Sequence, residues 1–205
     1  MSQENFYLVC WIWAGIALIT FFVLRLVKAP YGRHVKKGWG PEISNRLGWV
    51  LMEAPSFLII LFFFLKYEQS SYASTLSVLW LLPYANRTFV FPLRLKTAGK
   101  KMPVAIVLSA VFFNLVNAGL NGFYLSSYET YTNEDFTTWN FLAGLLIFLA
   151  GAFVNLKSDH MLISLRKPGE VGYKIPKGFL FEFVSCPNHL GELLQWGGFA
   201  LMAWN

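Results

Sequence analysis

Charge is scarce in this chain of 205 residues: Asp, Glu, Lys and Arg make up 14% of it, against 56% hydrophobic and 18% aromatic residues. A soluble globular domain carries about a quarter charged residues, so that class is excluded. Cysteine is scarcer still. The two that exist, Cys10 and Cys186, cannot form a disulfide framework, and no metal-ligand spacing occurs. The glycines never fall into a G-x-G-x-x-G turn, so the usual dinucleotide fingerprint is missing. No internal repeat or low-complexity tract is found, and no basic and aromatic array of the kind that reads nucleic acid. The residues before the first apolar run include no Lys or Arg, which excludes a secretory signal peptide and makes that run an anchor.

What is present is a series of long apolar runs. Crossing about 30 Å of hydrocarbon takes roughly 20 helical residues, and six runs approach that length, at about residues 6–27, 47–66, 73–94, 103–127, 137–157 and 190–204. The expectation is an all-α, polytopic transmembrane bundle forming one domain over residues 1–205. Lys and Arg collect in the first, third and fifth loops, while Glu68, Glu129, Glu134 and Asp135 mark the second and fourth. The positive-inside rule makes the odd loops cytoplasmic and the N-terminus external. The net charge of +6 then reflects topology.

Ionisable side chains inside spans are costly and mark functional cavities. Three occur here: Glu53, Arg87 and Glu192. Glu53 is expected about 9 Å from the basic-loop end of its helix, with Tyr84 and Arg87 about 15 and 10 Å deep on the next, so they can share a layer. Pro55 and Pro83 beside them loosen the backbone ladder. Asn114, Asn117, Asn121 and Tyr124 follow at spacings of three, four and three, one helical face. Asn155 and Asp159 close the fifth span. Two readings stand at each point: Glu53 and Arg87 form a structural ion pair or line a cavity, and the asparagines glue helices or face a ligand. Asn86 lies in a sequon within a span, where glycosylation is not expected. His34 and His160 read as loop or helix-end residues and His189 as a candidate ligand contact.

The densest polar stretch, "NLKSDHMLISLRKPGEVGYKIPKGFLFEFVSCPNHLGELLQWGGFAL", closely resembles the C-terminal signature of the steroid 5α-reductases, the 3-oxo-5α-steroid 4-dehydrogenases. N-x-x-S-D, L-R-K-P-G-E, Y-K-I-P-x-G, L-F-x-x-V-S and N-x-x-G-E-x-x-x-W occur in order, and "MEAPSF" and "YANRTFVFP" upstream are similar to further family elements. The resemblance, dense after Asn155 and sparse before Met52, implies a bacterial member in an inner membrane. It implies NADPH-dependent reduction of the carbon–carbon double bond of a Δ4-3-ketosteroid in a seven-helix bundle, with the cofactor entering from the cytoplasm. It assigns cofactor contacts to Arg87, Arg94, Asn155, Asp159, Arg166, Tyr173, Asn188 and Glu192. The substrate falls to Glu53 and Tyr84, with Asn114 and Asn117 on the stripe. His189 stands where many relatives carry an aromatic residue. Relatives continue past the last tryptophan with a further span and a basic tail, so a truncated chain or a variant with a reduced cofactor site is expected.

Reduction of an enone by hydride at its β-carbon develops negative charge on the ketone oxygen, which needs a hydrogen-bond donor. Tyr84 is the expected donor; a protonated, desolvated Glu53 supplies a second or orients Tyr84. The α-carbon proton would come from water or the Tyr84 network. Trp49, Phe57, Trp80, Phe113 and Phe123 are candidate lining for a flat, apolar ligand. Membrane lipids are the other expected partners. Three alternatives remain: a reductase of another lipid enone, enoyl or polyprenol substrate, an isoprenylcysteine methyltransferase-like protein using S-adenosylmethionine, and a lipid-binding or transport protein.

Overall fold

A computed structural model describes residues 1–27, 38–96, 99–128, 131–167 and 174–204. Helices occupy all six positions expected from the apolar runs. They are α1 (Gln3–Leu26), α2 (Asn45–Lys66), α3 (Ser71–Ala85) with its continuation α4 (Phe91–Arg94), α5 (Val104–Ser127), α6 (Trp139–Ser164) and α7 (Pro187–Met202). Serine or threonine hydroxyls at Ser2, Ser44, Ser70 and Thr138 accept an N–H three residues on, which sets four of the N-termini. Among the described residues α1, α2, α5 and α6 are each long and apolar enough to cross a membrane. The molecule is an all-α polytopic membrane protein.

The third apolar run is not one helix. Between α3 and α4 the chain widens into a π turn at Asn86–Val90, where the N–H of Phe91 reaches back to the carbonyl of Asn86. Pro92 follows immediately. Proline brings no N–H and crowds the carbonyl four residues before it, and the wider turn relieves both problems. Arg87 and the buried Thr88 lie within this turn. The last helix begins at Pro187, three residues earlier than the apolar run suggests, because proline suits a first helical turn.

Two short strands, absent from the sequence-based expectation, join the first and third loops: β1 (Glu42–Ser44) pairs antiparallel with β2 (Lys101–Pro103). The N–H of Asn45 to the carbonyl of Lys100 (3.0 Å) and that of Val104 to Pro41 (2.9 Å) extend the clasp. Consequently α2 and α5 start side by side. The core runs through α3, α5, α6 and α7 around Tyr72, Leu76, Trp80, Tyr84, Phe148, Phe199 and Met202. At one end of α7, Tyr72 donates to the Met202 carbonyl and Tyr131 to that of Ala203, both at 2.7 Å.

Helices α6 and α7 approach backbone to backbone. Gly144 and Gly151 on α6, and Gly191 and Gly198 on α7, are each spaced by seven; a Cβ at Gly191 would lie 2.4 Å from the Asn155 nitrogen, and one at Gly151 2.4 Å from that of Gln195. Small residues at a seam let membrane helices meet this closely. The antiparallel register it fixes brings Asn155 and Asp159 opposite Asn188 and Glu192.

Candidate functional site

Four elements deliver one charge network, buried at Glu53 and Asn155 and half-buried at Arg87 and Glu192. Glu53 is on α2 next to Pro55, Arg87 in the π turn, Asn155 on α6 and Glu192 on α7. One oxygen of Glu53, Oε1, accepts from both Nε and Nη2 of Arg87 at 3.1 and 3.0 Å. The third guanidinium nitrogen, Nη1, donates to Oε1 of Glu192. That oxygen also takes a 3.5 Å contact from Asn155 Nδ2, whose closer acceptor is the Asn188 carbonyl at 3.1 Å. The second Glu192 oxygen is 3.4 Å from His189 Nδ1. Beneath the guanidinium lies the Trp49 ring, 5.1 Å from Cζ to centroid. A planar, forked cation is needed to hold two carboxylates and an aromatic face at once.

The network floors a cavity of about 820 Å³. Trp49, Phe91, Arg87, Asp159, Asn188, His189 and Glu192 line its side next to the network, and Lys96, Lys100, Lys101, Arg166 and Lys174, with the acidic Glu42, line its rim between the helices' ends. The rim cations are crowded. Lys96 Nζ donates to the Arg166 carbonyl at 2.7 Å. Burial first, and then the Arg166 charge, hold the Lys100 ammonium below its ordinary range. Forked or clustered cations suit phosphate oxygens. Among the described residues no group of three or more His, Cys, Asp and Glu could hold a metal ion.

Of the residues singled out from sequence, Arg87, Asp159, Arg166, Asn188 and Glu192 line this one cavity. Asn155 sits behind it, tied to Asn188 and Glu192. Glu53 lies one layer deeper and is joined to the cavity through Arg87. Its Oε1 accepts two hydrogen bonds from Arg87, the ion-pair arrangement that was one of the two readings of this pair. Tyr84 is buried against Trp80 and Trp196, at 5.5 and 5.4 Å between centroids, in the neighbourhood of Ser56. Arg94 points elsewhere, its Nη2 3.0 Å from His160 Nδ1. Tyr173 and His34 lie outside the described residues.

The asparagine stripe divides. Asn114 joins helices: its amide nitrogen donates to the Met52 carbonyl at 2.6 Å and its oxygen accepts from Ser56 at 3.0 Å. Asn117 and Asn121, with Phe6, Cys10, Trp13 and Tyr124, line a groove between α1 and α5 instead. Of the five candidate lining aromatics only Trp49 reaches the cavity. Phe57 meets Phe89 edge to face, Trp80 is core, and Phe113 and Phe123 meet Trp13 and Phe6 of α1. Asn114→Leu is expected to lower thermal stability by about 1 to 3 kcal/mol by stranding the Ser56 hydroxyl and the Met52 carbonyl, read as a fall in melting temperature in detergent.

Sequence reasoning expected the loop lysines on the phosphates as a class, without saying which ones reach the cavity; it missed Ser56 and the role of Trp49, although Trp49, Glu53 and Ser56 are spaced four and three apart on one helical face. The Lys100–Lys101 pair gave no such signal, because it joins the rim through the β1–β2 clasp.

Residues 100–205 match the sequence profile of the family described as 3-oxo-5-alpha-steroid 4-dehydrogenase. Over 197 residues the chain is 45% identical to a steroid 5-alpha-reductase of Gossypium hirsutum, an alignment spanning 93% of this chain and 76% of that protein. It is 37% identical over 194 residues to a steroid 5-alpha-reductase of Arabidopsis thaliana, spanning 91% and 74%. With 3-oxo-5-alpha-steroid 4-dehydrogenase 1 of Bos taurus it shares 36% over 205 residues, spanning 97% and 78%. The bacterial source expected from sequence finds no support among these plant and mammalian relatives. The profile match contains Asn155, Asp159, Arg166, Asn188 and Glu192, while Glu53, Tyr84 and Arg87 precede it.

Proposed function

Because this chain belongs to the 3-oxo-5-alpha-steroid 4-dehydrogenase family, we propose that it reduces the carbon–carbon double bond of a Δ4-3-ketosteroid within the membrane, using NADPH. The observation that carries this reading is Arg87, held between Glu53 and Glu192 at the floor of a cavity whose rim is built of cations. The donor set fits a phosphorylated dinucleotide. Lys96, Lys100, Lys101, Arg166 and Lys174 would neutralise phosphates. Asp159, Asn188 and Glu192, with Arg87, would hold the ribose hydroxyls and the carboxamide; Tyr173 and Arg94 are carried over from the family motifs alone. The rim would face the cytoplasm and the N-terminus the other side, with residues 1–205 acting as a single reductase domain amid membrane lipids.

NADPH, when bound, supplies hydride to the enone β-carbon. The chain's own residues have three tasks. Tyr84 donates a hydrogen bond to the ketone oxygen as negative charge develops there. Glu53 positions: through Arg87 it fixes the floor of the cavity, one helical turn from Ser56 on the same helix. The resulting enolate is protonated at its α-carbon from water or the Tyr84 network, giving the saturated ketone. Asn114 holds Ser56 in place on α2, and Asn117 faces the groove between α1 and α5.

The test is NADPH oxidation by the detergent-purified protein with progesterone or testosterone, with mass spectrometry of the product. A gain of two hydrogens is expected. Tyr84→Phe should lower kcat on the order of 10²- to 10³-fold, the usual cost of one such donor, and Glu53→Gln should lose less than Glu53→Ala. Wild-type turnover in all three variants would refute the assignment of Tyr84 and Glu53, and failure to bind NADPH would overturn the reductase reading.

A further inference from the structure

On α6, Leu142, Leu146, Leu149 and Phe153 recur at spacings of four, three and four, and all are exposed. This is a stripe on one helical face, the side α6 turns to lipid. Exposed Trp139 stands at its start, an aromatic suited to a membrane interface. Lys157 stands eighteen residues on, about 27 Å away along the axis, which matches the roughly 30 Å of hydrocarbon. Phe153, about 21 Å along, therefore lies just inside the second interface. The helix itself continues to Ser164, about 10 Å beyond Lys157.

The segment after α6 returns to this level. The Phe179 ring meets Phe153 edge-on at 6.2 Å, and Lys157 Nζ lies 4.3 Å from the Phe179 centroid and 5.5 Å from that of Phe153. The turn that places Phe179 there is tight. Gly178 has φ +84° and Phe179 itself φ +51°, while the Gly178 N–H donates to the Glu182 carboxylate. A bulky residue in the left-handed region persists only where its surroundings fix it. Around this turn Ile175 is 86% exposed and Phe183 83% exposed, with Lys174 and Lys177 between and beside them.

We propose that residues 174–185 form an interfacial anchor, docked into the bilayer surface on the cavity-rim side and selective for anionic phospholipid. Ile175 and Phe183 enter the acyl boundary; Lys157 and Lys177 meet the lipid phosphates, their stems lying along apolar surface. The bilayer is the occupant because the turn packs on the lipid-facing stripe of α6, at the depth where hydrocarbon ends, with cations at headgroup level. One end of the anchor carries Lys174 of the rim and the other leads into α7 with Asn188, His189 and Glu192. Docking thus ties one wall of the cavity to the membrane surface.

The test needs no enzyme activity. In a Cys10→Ser/Cys186→Ser background, a nitroxide at Phe183→Cys is compared with one at Ser164→Cys, in phosphatidylcholine vesicles containing phosphatidylglycerol. Oxygen collisions should exceed those of a water-soluble nickel chelate at position 183, with the reverse at position 164. A label at 183 as open to nickel as that at 164 overturns the proposal. So does dipolar broadening that disappears on magnetic dilution, which would put a second copy of the chain on this face. In the same vesicles Lys157→Gln/Lys177→Gln should move the 183 label toward water, as should omission of phosphatidylglycerol, at about fivefold in docking constant per lysine. Indifference to both changes would remove the anionic-lipid selectivity.

Discussion

Arg87→Met is expected to abolish turnover and to destabilise the protein by about 3 to 5 kcal/mol, the range for breaking a buried ion pair from one side. The argument is one of stoichiometry. A single guanidinium satisfies Glu53 through Nε and Nη2 and Glu192 through Nη1, while its face lies over Trp49. Removing it leaves two carboxylates inside the bundle with their shared counter-charge gone. Arg87→Lys should retain part of the stability and little of the activity, since one ammonium cannot fork to both partners. The stability and catalytic roles separate in the triple variant Glu53→Gln/Arg87→Met/Glu192→Gln, which should regain melting temperature in detergent without regaining NADPH oxidation. An Arg87→Met variant that melts with the wild type would show that the network contributes nothing to the fold.

The second large effect lies at the α6–α7 seam. Gly191→Val is expected to prevent α7 from docking, because even a Cβ there would sit 2.4 Å from the Asn155 nitrogen and 2.7 Å from the Gly151 oxygen. These are backbone atoms of a packed helix and cannot swing aside. Overpacking a core costs about 1 to 3 kcal/mol when side chains can adjust, and here they cannot. Gly191→Ala should lower the melting temperature and weaken NADPH binding together, since separating the helices withdraws Asn155 from Asn188 and Glu192. Gly197 supplies the control: nothing lies within 4 Å of its added Cβ. Gly197→Ala should be neutral or slightly stabilising, as alanine favours a helix over glycine by about 1 kcal/mol. Equal behaviour at 191 and 197 would refute the close-packed seam.

The membrane class and the positions of the helices were legible because apolar run length is a property of the sequence alone. The partnership of Glu53 with Arg87 was legible as one of two readings, because both fall inside spans at similar depth. The π turn was not: Pro92 announces trouble for a helix but not which wider turn resolves it. The division of the asparagine stripe was also hidden. Helical spacing puts Asn114 and Asn117 on one face, yet α2 covers the first and α1 the second, and which neighbour covers a face is decided by tertiary packing. The rim lysines depend on a strand pair spanning residues 42–103, a contact no local pattern encodes. Family motifs carried Asn155, Asp159, Asn188 and Glu192 together, but only the glycine seam explains why those four positions meet.

The order in which the network's members are synthesised follows from their places along the chain. Glu53 emerges first, on α2, and Arg87 follows thirty-four residues later in the π turn. The arginine therefore enters the lipid phase with a carboxylate already waiting on the neighbouring helix, which lowers the cost of inserting a helix interrupted by two prolines and a charge. Glu192 arrives a further 105 residues after Arg87. Until then the guanidinium keeps one donor for it, so the last helix meets a prepared counter-charge at the moment of docking. Charge compensation during biogenesis and final closure of the bundle are thus assigned to different carboxylates on one arginine.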